Sequence, residues 1–226
     1  MEQLALIIVC ACLLLGGALR ILSAKCGLLL KPPVRIQLVP VDDAAEGRFA
    51  EAHRRELEFL GFKPIGTYRV REMPGVTLVA FTQSLKAVCA VVYRHPLAGV
   101  FIDMCAMTEE DRGLTVTNAP AGGNLDQPPG REKIFEPKAP LRQLYDRLLS
   151  DRPAGPCQRV DASNFVRVFE AEYEREMTWR QGRGGVTEDE VRREAHALGI
   201  HSERTIQQAT QNLRKQYRET SEPGVR

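Results

Sequence analysis

The chain has 226 residues, 43% apolar and 27% charged, which is the balance of one ordinary folded domain and excludes a disordered or fibrous protein. Thirty-one basic residues intermixed with twenty-nine acidic ones leave a formal charge of +2, too little field to hold a polyanion, so nucleic acid is not an expected partner. The six cysteines form no CxxC pair and read as small hydrophobes rather than a metal framework.

Leu4 to Leu19 is an unbroken apolar run, and Ile21, Leu22 and Ala24 extend it past Arg20. About 20 apolar residues cross a bilayer, so residues 1–31 are expected to form a transmembrane anchor with a basic flank. Arg20, Lys25, Lys31 and Arg35 follow the run and no basic residue precedes it. This asymmetry orients a single-pass protein with its domain on the cytoplasmic side and the lipid bilayer as partner.

Lys31-Pro32-Pro33 separates the anchor from a domain expected over 32–181. Val34 to Val41 reads as a first strand. Asp42 or Asp43 then caps a helix running to Leu60, with Gly61 as its stop. Five further runs, 63–70, 76–82, 87–94, 100–107 and 114–118, are joined by connections too short for a helical crossover. The fold class expected is therefore α+β: an antiparallel sheet of about five strands packed by helices. In the third run Val88, Ala90 and Val92 share one side while Cys89, Val91 and Tyr93 share the other. Such a strand is covered on both faces, or one face is a ligand surface.

Residues 119–138, rich in Pro and Gly, read as the longest stretch without regular structure. Leu141, Leu144, Tyr145, Leu148 and Leu149 then recur at helical spacing, and a longer helix carries Phe165, Phe169, Tyr173 and Met177 up to Gly182. Over 182–226 a two-helix tail is expected. Thr187 and Glu190 form a capping box, and Val191, Leu198, Ile206, Leu213 and Tyr217 form apolar stripes that need a surface. That surface is the domain, a protein partner or a second copy, engaged through 187–218. The tail's spacing around Gly199 approaches a helix-turn-helix, but Ile206 arrives a residue late and Glu188, Asp189, Glu190, Glu194 and Glu203 would oppose phosphates.

No zinc, phosphate-loop, dinucleotide or nucleophile-elbow pattern occurs, and His53, His196 and His201 have no neighbour at metal spacing, so neither metal nor cofactor is expected. His95 in a strand-connecting turn, with Tyr93 beside it and Asp103 on the next strand, is a candidate for acid–base work. Thr117, Asn118, Asn124 and Asp126, at a strand end running into a loop, are candidate hydrogen-bonding groups for a ligand. Against this, Asn and Asp in turns commonly bond their own backbone.

Leu60-Gly61-Phe62 with Gly66 and Tyr68, Tyr93-x-His95-Pro96 with Gly99-Val100, Thr117-Asn118-Ala119-Pro120 and Pro128-Pro129-Gly130 resemble predicted bacterial membrane-anchored proteins of unknown function. The likeness covers about residues 55–180 and implies an inner-membrane location, without lending an activity or a catalytic residue. The function expected is a membrane-tethered, non-enzymatic binding or scaffolding module. Its alternatives are a hydrolase-like enzyme with a site near His95, Asp103 and the 117–126 loop, and a tethered DNA-binding regulator.

Overall fold

Apolar residues on both sides of the middle strands demand cover on both faces of a sheet, and that requirement organises the molecule. A computed structural model describes residues 33–96, 98–120, 124–197 and 199–221. β1 (Leu38–Pro40) leads to a short α1 (Asp43–Glu46), a 3₁₀ turn (Arg48–Ala50) and α2 (Glu51–Phe59). β2 (Lys63–Val70), β3 (Thr77–Gln83), β4 (Val88–His95), β5 (Gly99–Met107) and β6 (Gly113–Thr117) follow as a meander. After β7 (Arg131–Phe135) come α3 (Leu141–Asp151), α4 (Phe165–Gly182), α5 (Glu188–Ala197) and α6 (Glu203–Ser221).

The sheet corrects the expected count and pairing. It has seven strands in sequential order, not about five, and it is mixed: β1 to β6 pair antiparallel, while β7 lies parallel to β6. β7 comes from the stretch read as irregular. Its sequence Arg-Glu-Lys-Ile-Phe is mostly charged, as suits an edge strand, and only Ile134 joins the core on its face. β1 is shorter than the 34–41 run because only Leu38, Val39 and Pro40 find partners on β2.

The single-pass architecture is also corrected. Among the described residues no helix is long and apolar enough to cross a membrane. α4 and α6 have 18 and 19 residues, long enough, but charged side chains interrupt both. The apolar run read as an anchor, with Cys10, Cys12 and Cys26, lies outside the described residues.

The helix expected from Asp42 to Leu60 is broken at Gly47. Asp42 caps α1 by accepting the Ala44 N–H at 3.0 Å. Gly47 closes α1 with its N–H on the Asp43 carbonyl at 2.8 Å, where a Cβ would stand 2.3 Å from Asp43 Oδ1, and the chain passes through the 3₁₀ turn into α2. Gly61, at φ 85°, ends α2 as the sequence indicates.

One face of the sheet is closed by α2 and α3, whose Leu57, Leu144 and Leu148 pack on Phe81, Val92, Ile102 and Met104. Side chains of this size contribute about 1.5–3 kcal/mol each when fully buried. The other face packs against α4 through Tyr68, Leu78, Val91 and Phe165. α5 and α6 then close over the far end of α4, with Val191, Ala195, Ile206 and Tyr217 buried against Met177 and Val186. The capping box is present: Thr187 N–H donates to Glu190 Oε2 at 2.6 Å, and Glu190 N–H donates to Thr187 Oγ1 at 3.2 Å. Leu198 of the expected stripe lies outside the described residues.

Candidate functional site

Helix α4 does not lie flush on the sheet. Towards the β4–β7 side the two separate around a cavity of about 390 Å³. The period of two along each strand selects its floor. Cys89, Val91 and Tyr93 come from β4, Phe101, Asp103 and Cys105 from β5, Thr115 from β6, and Arg131 and Lys133 from β7. Val168, Phe169, Glu172, Tyr173 and Glu176 of α4 form the roof. Ile36, Val70, Met73 and Val76 extend the apolar wall.

Register brings the polar floor together. Asp103 stands opposite Val91 on one side and Thr117 on the other. The parallel pairing of β7 sets Lys133 opposite Thr115, which is itself opposite Cys105. Asp103 and Lys133 therefore reach towards each other across β6, with Lys133 Nζ 3.8 Å from Asp103 Oδ2. That separation exceeds the 2.7–3.2 Å or so of a direct N–H···O bond, so neither group saturates the other. The carboxylate holds the ammonium in its charged form: attraction to Asp103 raises the Lys133 pKa, more than burial lowers it.

Asp103 is only 9% exposed, and its Oδ1 is buried with no hydrogen-bond partner among the described residues. Leaving such an acceptor unpaired costs about 1–3 kcal/mol, a cost that native folds concentrate where it serves a purpose. Beside this pair Tyr93 stacks on Phe101 with ring centroids 4.8 Å apart at 16°. Burial, reinforced by the Asp103 charge, pushes the Tyr93 phenol well above its usual pKa, so it remains a neutral donor.

The cavity's rim is an ion cluster. Arg131 grips Glu172 with two bonds, 2.9 and 3.1 Å, tying β7 to α4. Arg131 also donates to Asp111 at 2.9 Å, and Arg175 donates to the same carboxylate. Hydrogen bonds from Arg175 and Arg131 hold the Asp111 pKa down to about 2.

The structure divides the seven residues singled out from sequence. Tyr93 and Asp103 line the cavity. His95 does not: it ends β4, four residues beyond the partner of Asp103, which is about 13 Å along the strand. Its Nδ1 accepts the Ala98 N–H at 3.1 Å, and burial lowers its pKa. Thr117 Oγ1 accepts the Ala119 N–H at 3.0 Å, and Asn118 bridges Ile102 N–H (2.7 Å) to the Ala139 carbonyl (3.3 Å). Asn124 donates to Glu194 at 3.1 Å, while Asp126 accepts from Arg183 at 3.0 Å and Arg193 at 2.6 Å. These four stitch loops to the sheet and to α5.

Lys133, Thr115 and the α4 roof were not singled out from sequence as site residues. One signal was available: Asp103 is a lone carboxylate on an apolar strand, in phase with Phe101 and Cys105. Among the described residues no cluster of three or more His, Cys, Asp or Glu is arranged to hold a metal ion.

Comparison with known proteins finds no matching family model, no matching curated protein and no matching solved structure. Function is therefore read from the cavity.

Proposed function

We propose that this chain is a small-molecule-binding module whose ligand occupies the cavity between α4 and the sheet. The observation that carries the reading is the cavity's make-up: about 390 Å³ of mostly apolar wall converging on one under-coordinated Asp103–Lys133 pair. Ligand sites of about 300–1,000 Å³ have this character, a large apolar surface with a few placed polar groups. Lys133 offers donors and Asp103 offers acceptors within one ligand group's reach, and Tyr93 adds a neutral phenol. The complementary ligand is a compact, mainly apolar molecule ending in a group that both donates and accepts, such as a hydroxyl or a carboxamide.

Displacement of an anilinonaphthalene sulfonate dye by medium-chain fatty alcohols tests the proposal. Val168 is a half-buried roof residue, so Val168→Trp fills the cavity from the helix side. The full chain should bind the alcohols with displacement of the dye, and Val168→Trp should lose both, with its melting temperature nearly unchanged. Lys133→Met should weaken the alcohol by roughly tenfold, about 1.4 kcal/mol, and leave the dye bound. Equal alcohol binding by the parent and Val168→Trp would overturn the assignment.

A further inference from the structure

A second chemistry lies on the same floor and is independent of which ligand, if any, the cavity takes. Cys89 on β4 and Cys105 on β5 are direct partners in the antiparallel ladder, and both line the cavity. Directly opposed residues of such a ladder have Cα atoms about 4.5 or 5.5 Å apart. Both distances fall inside the roughly 4.4–6.8 Å that a disulfide spans, so a small local closing of the pair brings the sulfurs together. Both cysteines are free and half-buried, with the cavity as the approach for a small reagent.

The surroundings differentiate the two thiols. Cys105 stands directly opposite Cys89, and Thr115 Oγ1 donates to Cys105 Sγ at 3.5 Å. The neighbouring Cys89 thiol, with burial, raises the Cys105 pKa well above the usual thiol value. Cys105 thus keeps its proton, which leaves Cys89 as the sulfur that attacks first.

We infer that Cys89 and Cys105 are a reversible redox modification site in the cavity floor, oxidised by a small peroxide to an intrachain disulfide. Cys89 gives up its proton as its sulfur attacks one oxygen of hydrogen peroxide, the O–O bond breaks, and hydroxide leaves with the electron pair and takes up that proton as water. Cys89 is now a sulfenic acid. Cys105 gives up its proton and attacks the Cys89 sulfur, the S–O bond breaks, and the second oxygen departs as water. Two thiols and one peroxide become one disulfide and two waters. A small dithiol returns the pair to its reduced state by exchange.

Peptide mapping of the full, folded chain by mass spectrometry under non-reducing conditions tests this directly. After brief exposure to hydrogen peroxide, the dominant product should be a crosslink joining the peptides of Cys89 and Cys105, removed by dithiothreitol. Cys157, on an isolated bridge between Thr108 and the 157 region, serves as internal reference because it has no ladder partner cysteine. In Cys105→Ser the sulfenic acid on Cys89 has no resolving thiol, so trapping by dimedone should rise several-fold over the parent. Recovery of Cys89 and Cys105 as free thiols under conditions that oxidise Cys157 would overturn the inference. So would their oxidation separately, without a mutual crosslink.

Discussion

Removing the Glu190 carboxylate should loosen the C-terminal helices more than any surface change, because four groups converge on it. Glu190 is fully buried. It accepts the Thr187 N–H at 2.6 Å and the Asp126 N–H at 2.8 Å, and it faces Arg180 and Arg183, each at 3.4 Å. Glu190→Ala strands the guanidinium of Arg180, itself 3% exposed, and breaking one side of a buried pair typically costs about 3–5 kcal/mol. Arg180 keeps Glu176 at 3.0 Å and the Asp126 carbonyl at 2.9 Å, so the charge loss falls below that range, to about 1–3 kcal/mol. Two backbone donors also lose their acceptor, at about 1 kcal/mol each, restoring the total to about 3–5 kcal/mol. At about 2–4 °C per kcal/mol for a chain of this size, circular dichroism should show a melt lowered by roughly 6–20 °C. The double replacement Arg180→Met with Glu190→Leu removes the charge and its counter-charge together and should recover most of the loss. A Glu190→Ala melt within about 2 °C of the parent would refute the claim that this carboxylate locks the tail to α4.

Gly185 sits at φ 91°, and a Cβ there would lie 2.8 Å from Tyr217 Cδ2, so Gly185→Ala should lower the melting temperature and speed proteolysis between α4 and α5. His95 should titrate below about 6.5 by NMR, because burial disfavours its charged form and Nδ1 must stay unprotonated to accept the Ala98 N–H. Since its folded pKa is depressed, His95 costs no stability above the unfolded value, and stability falls as pH drops from about 6.5 towards the folded pKa; a value at or above 6.5 contradicts this. Asp111, held at about 2, contributes stability that is complete above its unfolded pKa near 4 and is lost as pH falls through about 2. Its side chain is 63% exposed, so Asp111→Asn should cost under about 1 kcal/mol in urea titrations while flattening the acid slope between about pH 4 and 2.

Much of the meander was legible because its signals are local. Met73-Pro74-Gly75 and the residues after His95 allow only tight returns, and the two-sided apolar pattern of β4 required cover on both faces. β7 was not legible, because an edge strand needs few apolar residues and its parallel register depends on the long 118–130 connection rather than on any local period. The part of the cavity floor beyond β4 and Asp103 was hidden for the same reason. Lys133 meets Asp103 only once β7 lies beside β6, and Cys89 meets Cys105 only through the register of β4 and β5. His95 and Asp103 looked like a pair at a distance of eight residues, but strand geometry carries them apart. Asn124 and Asp126 read as candidate ligand-binding groups in a loop, but their partners, Glu194, Arg183 and Arg193, are distant in sequence and bind them into the tail's docking.

The central claim, that the space between α4 and the sheet receives a small molecule, is tested most directly by ¹⁵N-resolved NMR during titration of the full chain with a medium-chain fatty alcohol. Saturable shifts confined to amides of β4, β5 and β7 around Val91, Asp103 and Lys133, and of α4 around Val168 and Glu172, are the predicted result, together with their disappearance in Val168→Trp. Shifts scattered over the surface, or unchanged when Trp fills the cavity, would contradict it.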